Sequence, residues 1–102
     1  MNEALFNDIV NFQTTTFPNA TLNSKLCHLR EEMFELYEAC NIKNGNVEDE
    51  FADCFLLLTG AFHKAGFNFS DIERIIRHKL KINKQRKWQE PDTNGVVKHI
   101  KE

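Results

Sequence analysis

The stretch "CFLLLTGAF", residues 54–62, carries no charged side chain, yet it directly follows "VEDEFAD", which places four carboxylates in seven residues. On a helix, Phe51, Phe55, Leu58, Phe62 and Ala65 line one face, and Leu57, Gly60 and Ala61 continue the face of Glu50 and Asp53. Such a segment is apolar nearly all round, so it must be covered on several sides. A chain of 102 residues buries only a modest core, and subunit association is the expected source of further cover. Asn46 reads as the N-cap of this central helix, with Glu48 and Asp49 in its first turn, and Gly66 as the C′ residue that ends it.

Three further helices are legible around it. The first spans roughly residues 2–14 and ends before Thr-Thr-Thr-Phe-Pro, where β-branched residues and Pro18 disfavour continuation. A second runs from about Asn23 or Ser24 to Ile42, with a core stripe of Leu22, Leu26, Leu29, Met33, Leu36 and Cys40 at spacings of three and four. Ser70 and Glu73 form an S-x-x-E capping box that opens a last helix reaching Lys87 or Trp88. Beyond it, Pro-Asp-Thr-Asn-Gly holds turn chemistry, and Val96 and Val97 have no strand partner elsewhere. The chain therefore reads as all-α, one domain over 1–102, with a helical core of about 2–88 and an extended tail at 89–102.

No run of eighteen apolar residues occurs, and "MNEALFNDIV" lacks a basic region followed by an apolar one, so neither membrane insertion nor secretion is expected. Cys27, Cys40 and Cys54 form no CxxC pair, which points to buried, reduced thiols in a cytoplasmic setting rather than to structural zinc. Charge is divided unevenly: residues 1–60 carry three positive and ten negative side chains, residues 61–102 ten positive and five negative. Either the two halves attract each other across the fold or each supplies a different part of one site.

The second helix contains "HLREEMFELYE", residues 28–38, with four glutamates in eight positions. At about 100° per residue and Leu29 at zero, the apolar stripe centres near about 20°, Glu32 falls at about −60° and Glu35 at about −120°. Glu31 and Glu38 point away, at about −160° and about 180°. Glu32 and Glu35 therefore share one flank, with His28 on the same side, and carboxylates three apart can converge on one point. They either pair with lysine or arginine at a helix boundary or join Glu50 and Asp53, again three apart, at the entrance to the second apolar surface of the central helix. Burying such carboxylates without compensation costs several kcal/mol, so they must be protonated, paired or bound to metal. An all-oxygen donor set from two helices suits a hard cation, Mg²⁺ or Mn²⁺.

On the last helix Ile72, Ile75, Ile76 and Leu80 set the stripe, and Lys79, Asn83 and Arg86 fall within about 60° of its axis. Two cations and an amide on that face are either solvated, direct partners of the glutamates, or phosphate ligands opposite a metal site.

Glu31-Glu32-x-x-Glu35, fourteen residues, Glu50-x-x-Asp53, and then Lys79-x-x-x-Asn83-x-x-Arg86 resembles the EExxE…ExxD signature of the MazG-like, all-α nucleoside triphosphate pyrophosphohydrolases, over residues 22–88. The superfamily also contains dimeric dUTPases and dCTP pyrophosphatases. The resemblance implies a four- to five-helix bundle completed by oligomerisation into a homodimer or homotetramer. It also implies Mg²⁺-dependent (Mn²⁺ possible) hydrolysis of nucleoside triphosphates to monophosphate and pyrophosphate, as in nucleotide-pool housecleaning. By matching positions, Glu32, Glu35, Glu50 and Asp53 would hold the metal, Glu31 would lie in an outer shell or help activate water, and Lys79, Asn83 and Arg86 would contact phosphates. No membrane partner is expected, and nucleic acid is not the expected one.

Phe12, Phe17, His28 and Trp88 are candidates to stack on a base, or else core and tail anchors. His63, His78 and His99 fit no metal or triad spacing, no Glu-x-x-His pair suits a di-iron bundle, and there is neither a Gly-rich phosphate loop nor a Ser or Cys nucleophile arrangement. The alternatives left open are a non-catalytic nucleotide-binding regulator on the same scaffold and a nucleic-acid-binding protein using the basic last helix.

Overall fold

The computed structural model describes residues 1–42 and 45–101; Glu102, the last residue of the expected tail, lies outside them. Four helices follow in order: α1 (Glu3–Thr16), α2 (Leu22–Asn41), α3 (Val47–Lys64) and α4 (Phe69–Gln85). The chain divides into two compact units, Met1–Phe69 and Ser70–Glu102.

In the first unit α3 is the central helix, packed most extensively on α2 and also on α1. Asn2 caps α1 by accepting from the Leu5 backbone N–H at 2.9 Å. This helix runs through all three threonines to Phe17, whose N–H donates to Gln13 O, so the β-branched run did not stop it. The second helix starts earlier than expected, at Leu22. Thr21 and Ser24 form a reciprocal capping box, each side chain accepting from the other's backbone N–H at 3.0 and 2.9 Å. Asn46 occupies the N-cap of α3 but turns its amide to donate to Asp49 Oδ2 at 2.7 Å, leaving the cap without a side-chain acceptor. Gly66 takes φ 96° just past the C-cap Ala65, a left-handed turn that glycine adopts without steric cost.

The expected stripes are not where this chain buries its apolar surface. Phe6, Ile9 and Ala61 are buried, whereas Leu26, Met33, Phe51, Phe55 and Leu58 are exposed. The surface that α3 turns inward is the second one, with Thr59, Gly60 and Ala61 buried and Leu57 half-buried. On α2 Lys25 is buried; Glu32 is half-buried, as are Leu29 and Leu36 of the leucine stripe, whereas Leu22, Leu26 and Met33 are exposed. Much of the apolar stripe of α2 and of the phenylalanine face of α3 is thus left exposed by this single chain. The thiols also depart from expectation, since Cys40 is exposed and Cys27 and Cys54 are half-buried, all of them free.

In the second unit, α4 begins at Phe69, so Ser70 stands inside the first turn and is not its N-cap. Ile72 is buried, while Ile76 and Leu80 are exposed. The tail finds its pairing partner in itself. Gln89 N–H donates to Lys98 O and Ile100 N–H to Lys87 O, both at 2.7 Å, around an antiparallel bridge between Trp88 and His99. Asp92 closes the loop, its Oδ1 accepting from the N–H groups of Asn94 and Val96 at 2.8 and 2.9 Å. Trp88 meets His99 edge-on with ring centres 6.2 Å apart and donates from Nε1 to Asn83 O at 3.2 Å, which makes it a tail anchor.

Candidate functional site

Glu32 and Glu35 sit one turn apart on α2, and Glu50 closes the first turn of α3, where the packing of the two helices brings it opposite them. One carboxylate oxygen from each of the three lies within 4.8 Å of the others. Glu32 and Glu50 are half-buried and Glu35 is exposed at the rim. His28, one turn before Glu32, lies 3.2 Å from its Oε1 through Nε2. The other oxygen, Glu32 Oε2, is buried and has no donor among the described residues, and the same holds for Glu50 Oε2. Burial, followed by the hydrogen-bonding and repulsion of Glu35 and Glu50, raises the pKa of Glu32 above that of an ordinary glutamate. Cys54 is likewise pushed up, first by burial and then by Glu32, Glu50, Asp53 and Glu35, so its thiol stays protonated.

Two orphaned buried carboxylate oxygens beside a third acid are what a cation would satisfy, and an oxygen-only set fits Mg²⁺ or Mn²⁺ rather than zinc. Asp53 is exposed and stands outside the three-glutamate group, but it lines the adjoining cavity together with Glu32. Glu31 is exposed on the outer side of α2. In the second unit, Asn83 and Arg86 are half-buried, with Arg86 Nη1 donating to Asn83 Oδ1 at 3.3 Å, and Lys79 is exposed.

The cavity, about 680 Å³, extends from Glu32, Asp53 and His28 along α1 and α2 to Phe12 and Phe17. Those rings meet edge-on with centres 6.1 Å apart, and Ile9, Leu56 and Leu57 complete an apolar wall. Set into that wall is a polar pair that sequence reasoning missed. Lys25, 6% exposed, donates from Nζ to Gln13 Oε1 at 3.1 Å, while Gln13 Nε2 donates to Leu56 O at 2.9 Å. Burial, and then the charge of Lys64, holds the Lys25 pKa below the usual lysine value. A Cβ on Gly60 would land on Gln13 Oε1 and come within 3.0 Å of Lys25 Nζ, so α3 presents bare backbone where the pair approaches. The signal available in the sequence was the i, i+7 spacing of Lys25 and Glu32 on one face of α2.

The helical fold and the carboxylate set define a protein of the MazG-like pyrophosphohydrolase class. A solved MazG-like pyrophosphohydrolase of cyanophage S-2L, bound to dGDP and three catalytic Mn²⁺ ions per active site, superposes with a TM-score of 0.80 at 26% identity, over 99% of each chain. A family model described as dATP/dGTP pyrophosphohydrolase matches residues 5–102, and the chain belongs to that family. A dATP/dGTP diphosphohydrolase of Salmonella phage PMBT28 is 33% identical over 85 residues, 83% of this chain. The chain spans 27% of that relative's length.

Proposed function

We propose that the chain hydrolyses purine deoxynucleoside triphosphates to monophosphate and pyrophosphate, as one functional domain over residues 1–102. The observation that carries this reading is the convergence of Glu32, Glu35 and Glu50 within 4.8 Å at the mouth of an aromatic-lined cavity in a chain of the dATP/dGTP pyrophosphohydrolase family. Support for a single domain comes from the family match over residues 5–102 and the 99% coverage of the cyanophage chain.

Glu32, Glu35 and Glu50 are the metal ligands, with Asp53 at their side. A divalent cation held there supplies neutralisation of phosphate charge and a bound water of lowered pKa. The work of this chain is to position. His28 engages Glu32 Oε1, while Oε2 has no hydrogen-bond donor among the described residues. Phe12 and Phe17 offer faces for a base, and the apolar wall excludes water around it. Lys79, Asn83 and Arg86 contact the phosphates, a role suited to their donors, and Arg86 is preset by its bond to Asn83. Glu31, exposed on α2, acts in an outer shell or helps to activate water.

The exposed Met33, Phe34 and Tyr37 of α2 and Phe51, Phe55 and Leu58 of α3 are too much apolar surface for a lone chain, and we assign them to a homodimer or homotetramer. A light-scattering mass of a single 11.9 kDa chain would contradict that. Among the described residues no helix is long and apolar enough to cross a membrane, and the free cysteines suit a cytoplasmic enzyme.

The test is a panel of dNTPs and NTPs with Mg²⁺ or Mn²⁺, separating products for the wild type and Glu50→Gln. Monophosphate and pyrophosphate from dATP and dGTP in the wild type alone support the reading. Absence of turnover by a folded, metal-binding oligomer overturns it in favour of a non-catalytic nucleotide-binding role.

A further inference from the structure

Lys25 is a buried cation that the proposed hydrolysis leaves unused. Its ammonium has three donors and no acceptor capacity, and among the described residues its one side-chain partner is the neutral Gln13 Oε1. Among the described residues no carboxylate forms an ion pair with it, although it lines the cavity. Burying a charge this way is costly without further acceptors, so the pocket is built for a ligand that supplies them. The amide that holds it is fixed as well: with Gln13 Nε2 committed to Leu56 O, Oε1 must face the lysine.

Position indicates which part of a nucleotide that ligand group is. Seven residues of helix separate Lys25 from Glu32, a rise of about 10 Å, and helical side chains lean toward the N-terminus, here away from the carboxylates. With phosphates at the glutamates, Lys25 stands at the far end of the nucleotide, where the rings of Phe12 and Phe17 line the same cavity. We propose that Lys25, oriented by Gln13, reads the base by donating to the adjacent O6 and N7 acceptors of guanine, so that dGTP is preferred to dATP. Adenine offers N7 as an acceptor but places an amino donor at position 6, where it opposes the ammonium. This inference rests on the nucleotide-hydrolase reading of the site.

The experiment measures kcat/KM for dGTP, dATP, 2′-deoxyinosine triphosphate and 7-deaza-dGTP with the wild type and with Lys25→Met. The inosine analogue keeps O6 and N7; the deaza analogue lacks N7. In the wild type dGTP and the inosine nucleotide should be used alike, with dATP and 7-deaza-dGTP disfavoured. The variant should lower the dGTP-to-dATP ratio of kcat/KM by about tenfold or more. An unchanged ratio, or an equal loss on both nucleotides, overturns the proposal and leaves Lys25 a structural residue. Should Lys25→Met fail to fold, the wild-type analogues decide, since 7-deaza-dGTP turned over as well as dGTP would overturn it. If the wild type hydrolyses no nucleotide, the enzyme reading has failed, and calorimetry with dGMP and dAMP decides this one. Tighter binding of dGMP than of dAMP by the wild type that is lost in Lys25→Met upholds Lys25 as a guanine reader in a nucleotide-binding protein, and equal binding by the wild type, or a preference kept by the variant, overturns it.

Discussion

The α2 flank that lines the cavity carries a carboxyl group at one end, Glu32, and a lysine at the other, Lys25. At one end Glu32, Glu35 and Glu50 crowd their carboxylates within 4.8 Å with two buried oxygens lacking any donor. At the other, Lys25 is buried against a single neutral amide. Folding alone would favour moving the lysine along the helix into contact with the glutamates, which would relieve both. Keeping them about two turns apart leaves each end to be completed from outside, by a cation at one and an acceptor-rich group at the other. A nucleotide and its metal are a ligand with those two chemistries at that separation.

The largest expected effect breaks the acidic end. Glu50→Gln keeps the shape of the side chain but removes a carboxylate that a cation needs, and kcat should fall by about 100-fold or more, about 2.7 kcal/mol in barrier. Helical circular dichroism should be unchanged. At the opposite end Phe12→Ala should raise KM for dGTP and dATP together by about tenfold, the scale of one lost base–aromatic stack, with metal affinity unaltered. A change in metal affinity would show that the two ends are not separable.

Titration sharpens the comparison further. The Glu32 pKa is raised, so the group retains a proton at pH values where an ordinary glutamate has lost its own. Metal binding must displace that proton, and affinity should therefore weaken as pH falls through a window above the usual glutamate range. In the metal-free protein the sign is opposite: stability is lost as pH rises from the unfolded glutamate pKa through the raised folded one. Glu32→Gln should abolish that loss, so thermal melts of the metal-free variant should depend less on pH than those of the wild type. The smallest effect is expected from Gly60→Ala. Helix propensity favours alanine by about 1 kcal/mol, but the new methyl must push Gln13 off Leu56 O, so near-neutral stability should accompany a loosened dGTP preference.

The sequence made the acidic end legible because pairs of acids three apart, followed by a charge-free helix, leave few harmless arrangements. Helix count and order were legible from apolar residues three and four apart, bounded by capping residues and breakers such as Asn46, Gly66 and Pro18. The leucine and phenylalanine stripes misled because periodicity reports that a face is apolar, not which molecule covers it; Met33 and Phe55 remain exposed in the single chain. Lys25 was illegible because a lone lysine on a helix is ordinarily solvated, and its burial depends on Gln13 and Gly60 arriving from α1 and α3. The tail pairing was hidden for a similar reason, since two short stretches around Pro91 and Gly95 carry too little alternation to announce a bridge.

The most direct test is a Mn²⁺ titration followed by electron paramagnetic resonance, on the wild type and Glu50→Gln, with and without α,β-methylene dGTP, which cannot be cleaved between its α- and β-phosphates. Saturable binding is expected in the wild type, tightened by the analogue, and should be lost in the variant. Equal Mn²⁺ binding by the two proteins, unaffected by the nucleotide, would mean that the three converging glutamates are not the metal site, and the central claim would fall.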